Sequence, residues 1–220
     1  MDPIIRQHID AVVEYLGREP NYRQLSFLSD TDWDNKFGRD SEIFGKTGAY
    51  FTKDRDILIR GKGNESLLHE LLHSAGLEDG TIGEEFNEGF TELVAREIAA
   101  EYRLPATVSG YGDLVSKVRN YVLPLVGVPL QQLARKYAES QDKARLLAGI
   151  IARRHAHHFY NREDWGNSSD PAVLEKELMK VFGYSPFNTF PYLDYLVNEV
   201  LPKNESFFRF VQSTFTSRTF

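Results

Sequence analysis

A chain of 220 residues, 41% hydrophobic and 26% charged, is long enough for one compact core or two lobes around a cleft. Its net charge of −6 gives no general pull toward nucleic acid or an anionic membrane. The absence of cysteine rules out disulfides, thiolate nucleophiles and cysteine-ligated zinc, so a bound metal has to rest on His and carboxylates.

The first seventeen residues, MDPIIRQHIDAVVEYLG, carry charge throughout and lack the apolar core of a signal peptide. No later run approaches the roughly 20 apolar residues of a membrane span. The expectation is residence in the cytoplasm, or export by a route without a cleaved signal. Ile5, Ile9, Val12, Val13 and Leu16 fit a helical stripe over 3–17, which Gly17 and Pro20 end. RQLSFLS (23–29) alternates like a strand. The polar, Gly-bearing stretch 30–48 reads as loop. GAYFTKDRDILIRG (48–61) reads as a hairpin, with AYF and ILI as its strands.

From Asn64, a candidate N-cap, the pattern turns helical, and Gly76 is a candidate C-terminal stop. This helix carries HELLH, residues 69–73. Residues four apart on a helix share one face, so His69 and His73 can offer two imidazoles to one ion. Glu70 is rotated by about 100° from His69 and can reach a water beside that ion. The pattern is that of a zinc hydrolase, H-E-x-x-H. Leu68, Leu71, Leu72 and Ala75 occupy the other side and would anchor the helix in a core.

A catalytic zinc usually keeps three protein ligands and one open position. Two residues are candidates for the third place. Asp79 completes H-E-x-x-H-x-x-G-x-x-D, with Gly76 turning the chain back. Glu88 lies on a second helix, expected to start at a Thr81–Glu84 capping box and to end near Tyr102. Phe90, Leu93, Val94 and Ile98 form the apolar stripe of that helix. Glu88, Glu92, Ala95 and Ala99 form another face, where alanine would let a neighbouring helix approach. Glu92, one turn beyond Glu88, could accept the free ring N–H of a ligating histidine.

HELLH followed by Asn87-Glu88 and an acidic residue four further on resembles the gluzincin zinc metallopeptidases, in their compact, minigluzincin-like form. The third ligand of that family sits in the motif N-E-x-x-x-D. The resemblance implies His69, His73 and Glu88 as ligands of Zn2+, and Glu70 as general base. It places Glu92 where the family usually has Asp, one methylene shorter. It covers residues 48 to about 98, and the 48–61 hairpin resembles the strand those enzymes set above the cleft. The Asp79 arrangement instead resembles metzincin-like peptidases, which need a methionine turn. Here the only methionines are Met1 and Met179, the latter within helix-like KELMKVFG.

After Pro105, apolar-periodic segments at 112–123, 129–139, 141–160, 171–182, 190–201 and 205–215 all read as helices. The expected fold class is therefore α+β and zincin-like: an N-terminal lobe (1–105) with a small sheet and the active-site helices, and an all-helical C-terminal lobe (106–220). The implied activity is peptide-bond hydrolysis, endopeptidase rather than exopeptidase, by water activated at the zinc with Glu70 as proton acceptor. The substrate would be a peptide or protein, with neither nucleic acid nor membrane as partner. Family members often add a Tyr or His from the second lobe to stabilise the oxyanion. Candidates are Tyr111, His155, His157, His158 and Tyr160. Two non-enzymatic readings stand beside this one: a metallopeptidase fold used as a zinc-binding interaction module, and a helical interaction protein with an accidental motif. An intact Glu70 weighs against the first.

Overall fold

Asp2 caps the first helix. Its side chain accepts the Ile4 N–H at 2.7 Å, and Pro3 fits the first turn, where no N–H is needed. This helix, α1 (Pro3–Leu16), ends at Gly17, whose φ of 72° lies in the left-handed region. In the computed structural model, residues 2–38, 48–61, 66–78, 82–105 and 110–159 are described, with residues 171, 172, 175, 176, 178, 179 and 193; side chains 156–159 are outside the description.

The buried face of α1 comprises His8, Ala11, Val12, Tyr15 and Leu16. It is rotated from the expected stripe: Ile5, Ile9 and Val13 lie at its margin. His8 is accommodated inside because its Nδ1–H donates to the Ile4 carbonyl at 2.7 Å, within its own helix.

Strand β1 (Gln24–Leu28) follows, then helix α2 (Asp30–Phe37), strands β2 (Ala49–Phe51) and β3 (Asp56–Arg60). The three strands form one sheet in the order β1-β3-β2. β3 runs parallel to β1, with Leu25 opposite Ile57, and antiparallel to β2, with Tyr50 opposite Leu58. As the central strand it is covered on both faces, which explains its unbroken apolar run Ile57-Leu58-Ile59. The strand at 24–28 and the 48–61 hairpin thus match the expectation.

The expected loop at 30–48 does not match: its first part is α2. Ser29 caps this helix by accepting the Asp32 N–H, Asp30 and Asp32 sit in its positive first turn, and Lys36 lies in its last. Only Trp33 is fully buried there, against Phe37 at 4.6 Å between ring centroids. Arg60 at the end of β3 reaches back to Asp30 at 2.7 Å.

The fold is α+β, mostly helical with this small sheet. After the histidine helix come α4 (Glu84–Tyr102), α5 (Gly112–Lys117), α6 (Leu123–Val126), α7 (Leu130–Glu139) and α8 (Lys143–Phe159). The segment expected at 112–123 is broken into α5, a π-helical turn over Val118–Val122, and α6. The segments expected at 171–182, 190–201 and 205–215 lie outside the described residues, apart from the seven positions named. No helix among the described residues is long and apolar enough to cross a membrane.

The chain groups into two compact units that do not follow sequence order. One contains Met1–Glu78, Phe90–Gly112 and Leu130–Glu139, hence the sheet, α1, α2, the histidine helix and α7. Its helix α1 is tied to α7 by Arg135, which donates to the carbonyls of Tyr15 and Glu14 at 2.7 and 2.9 Å. The other contains Asp79–Gly89, Asp113–Pro129 and Ser140–Phe220. Within it, α8 packs on α6, and the Arg154 guanidinium lies against Gly127.

Candidate metal centre

The histidine helix α3 (Leu67–Leu72) is buried on all its residues, with Ser66 at the cap position. Asn64, the expected cap, lies outside the described residues. Leu67, Leu68, Leu71 and Leu72 bury almost completely and hold α3 in the core, as the sequence pattern suggests. His69 and Glu70 come from α3, and His73 opens the next turn. That turn, His73–Leu77, widens to π-helical geometry and breaks at Gly76, where φ is 106° and ψ 15°. Two constraints require glycine here. The backbone conformation is one L-residues avoid. A Cβ would also lie 2.7 Å from the Ala138 carbonyl oxygen on α7. The loss of regular helix immediately after His73 follows from this close approach.

The two imidazoles meet edge to face, ring centroids 4.7 Å apart, with His69 Nε2 and His73 Nε2 at 2.9 Å. On the other side of the His69 ring, Nδ1 lies 3.2 Å from Glu92 Oε2. A carboxylate can only accept, so His69 carries its proton on Nδ1 and keeps a lone pair on Nε2. The His73 Nε2–H then donates into that lone pair. The two Nε2 atoms thus face one shared point.

Glu92 itself is fully buried, and its Oε1 accepts the Arg96 Nε–H at 2.8 Å. One turn earlier on the same helix, Glu88 is half-buried. His69, His73 and Glu88 each offer a ligand atom, and all three atoms lie within 4.8 Å of one another. Because α4 is continuous from Glu84 to Tyr102, Glu88 is carried by the helix that already pairs with His69 through Glu92.

The donor set of two imidazole nitrogens and one carboxylate oxygen suits Zn2+. Ligand atoms on a tetrahedral zinc stand about 3.4 Å apart, as bonds of roughly 2.1 Å dictate. The observed spread needs only side-chain adjustment to reach that geometry, and the two nitrogens at 2.9 Å have to part slightly. These three residues could hold a metal ion.

Glu70 is buried next to His69 on α3. Tyr111, just before α5, lays its ring over His69, with centroids 5.4 Å apart and planes 18° from parallel. His155 is buried, and its Nε2–H donates to the Leu125 carbonyl at 2.8 Å. Asp79, Thr81, Tyr160 and the side chains of His157 and His158 lie outside the described residues. Met179 has helical backbone, as its sequence context suggests.

Three features escaped the sequence reading. Arg96 was legible as the Arg of an E-x-x-x-R spacing after Glu92. Gly89, beside Glu88, faces the backbone of Leu114, where a Cβ would come within 2.9 Å. The meeting of Gly76 with α7 had no local signal. Compared with known protein families, curated proteins and solved structures, the chain matches none.

Proposed function

We propose that this chain is a zinc metallopeptidase with a zincin-like fold, hydrolysing internal peptide bonds of a peptide or protein substrate. The observation that carries the reading is the convergence of His69, His73 and Glu88 on one point, with Glu92 beneath His69 fixing the ring so that its free nitrogen faces that point. A structural histidine pair has no need for a half-buried carboxylate aimed at the same place. Zinc bound there would supply Lewis acidity toward the substrate carbonyl and acidify the attacking water.

The remaining roles belong to the chain. Glu70 takes the proton of the attacking water and delivers it to the leaving amine. The buried leucines around α3 exclude bulk water, which strengthens each charge interaction at the site. Tyr111, stacked on His69, offers a phenolic O–H for the developing oxyanion.

The test is metal analysis of the purified full chain, followed by incubation of the zinc-loaded protein with a diverse peptide library. One equivalent of zinc, product formation, and loss of products in Glu70→Gln with zinc retained are the expected results. A general base typically contributes about 10²–10⁴-fold, so the variant falls by at least that factor. Zinc uptake with no cleavage of any peptide would leave a binding module. No zinc uptake would remove the proposal altogether.

A further inference from the structure

We infer that Arg96 is a positioning residue for the metal centre: by holding one oxygen of Glu92, it aims the other at His69 and thereby raises zinc affinity. The inference rests on the metal-site reading above and goes beyond its ligands.

Glu92 and Arg96 are an i, i+4 pair on α4, with the acid N-terminal to the base, the favourable order on a helix. On an exposed surface such a pair contributes little to stability. Here the circumstances differ. The Glu92 side chain is 0% exposed and the Arg96 side chain 35% exposed, so the guanidinium reaches from the surface to a carboxylate cut off from water. A buried carboxylate needs a countercharge and hydrogen bonds to remain an anion.

The geometry divides the two oxygens. Oε1 takes the Arg96 Nε–H at 2.8 Å, and Oε2 faces His69 Nδ1 at 3.2 Å. Anchoring Oε1 to the carboxylate's own helix restricts rotation of the carboxylate plane. Oε2 is then presented to the ring that stacks beneath Tyr111 and points Nε2 at His73. The chain Arg96–Glu92–His69 lies on α3 and α4 alone. It sets which His69 nitrogen carries the proton, and so which nitrogen is available to a cation. Outer partners of this kind typically contribute about 10–100-fold in metal affinity. Glu is one methylene longer than Asp, with one more rotatable bond to restrain, and Arg96 supplies that restraint.

The experiment compares wild type, Arg96→Met and Arg96→Lys as full chains. Zinc affinity is measured by competition with a chromophoric chelator. In the metal-free proteins, imidazole 15N shifts report the tautomer of His69. Arg96→Met keeps the packing of the stem but loses the donor. It should bind zinc about 10–100-fold more weakly and lose the Nδ1–H preference of His69, while Arg96→Lys recovers most of both. A merely structural ion pair would lower the melting temperature and leave the tautomer and the affinity unchanged, and that result overturns the inference. So does a wild-type His69 protonated on Nε2. A wild-type chain that takes up no zinc overturns the metal-site reading itself and this inference with it, whereas equal zinc affinity in wild type and Arg96→Met overturns this inference alone.

Discussion

Replacing Gly76 by alanine separates two effects that the structure places at one residue. The first is backbone strain: at φ 106° an L-residue pays at least the usual cost of the left-handed region, about 1–2 kcal/mol. The second is collision: the new methyl would sit 2.7 Å from the Ala138 carbonyl oxygen, an atom of helix backbone that also accepts from Arg18. Overpacking against an unyielding partner adds about 1–3 kcal/mol. Gly17 provides the control. It has φ 72° and nothing within 4 Å of its would-be Cβ, so Gly17→Ala carries strain alone. The expected losses are about 1 kcal/mol for Gly17→Ala and about 3 kcal/mol for Gly76→Ala. At roughly 2–4 °C per kcal/mol for a chain of this size, the melting temperature falls by about 2–4 °C and 6–12 °C respectively. Thermal melts followed by circular dichroism measure both. Since His73 opens the turn that Gly76 closes, zinc affinity should fall in Gly76→Ala and hold in Gly17→Ala. Equal destabilisation by the two substitutions would refute the claim that α7 fixes the end of the histidine helix.

The other expectations are simpler. Glu88→Ala should lower zinc affinity by more than the roughly 100-fold that removal of a supporting partner can cause, and Asp79→Ala should leave it unchanged; isothermal titration decides, and the reverse pattern would transfer the third-ligand role to Asp79. His155→Ala leaves the Leu125 carbonyl unpaired and a cavity beside it, so urea unfolding should show a loss of about 2–4 kcal/mol with zinc binding intact, and an unchanged midpoint would contradict the structural role. Tyr15 concerns alkaline stability. Burial first, then the carboxylates of Glu97 and Glu101, push its phenol above the ordinary 10, and the buried hydroxyl finds no hydrogen-bond partner among the described residues. The unfolded chain releases that proton near pH 10 while the folded chain holds it, so stability present below pH 10 is lost as pH rises toward the folded value. Tyr15→Phe removes this loss. Its unfolding midpoint should decline less than wild type between pH 9.5 and roughly 11, and parallel curves would disprove the assignment.

What could be read from the sequence was what obeys local spacing. The hairpin was visible because AYF and ILI flank a polar turn, and the continuous ILI run belongs to a strand with neighbours on both sides. The face of α4 carrying Glu88, Glu92, Ala95 and Ala99 was visible because acids and alanines recur at helical intervals; in the structure Ala95 and Ala99 are buried there. The helix α2 was missed because it buries a single large residue, Trp33, so no apolar period marks it. Its signal lay in Ser29 and Asp32, a cap with acids in the first turn. The face of α1 was misjudged because His8 and Tyr15 were given no place in a core, although one donates a ring N–H within the helix and the other buries its ring. The π-helical turn after His73 depends on Ala138, 62 positions beyond Gly76, and the stacking on His69 depends on Tyr111, 42 positions on, so no local pattern encodes them.

The recruitment of 130–139 into the unit that holds the histidines bears on how the protein is made. Gly76 rests on Ala138, and the C-terminal carbonyls of α1 are held by Arg135 and Gln131. As the chain leaves the ribosome, the HELLH segment emerges some sixty residues before the helix that braces it. Until then Leu133 and Tyr137 have not arrived to complete that core, so a nascent chain halted at residue 105 presents the two histidines without their final support. The fully braced arrangement of the two histidines is thus a late event in synthesis, separated from translation of the motif by the whole of α4, α5 and α6.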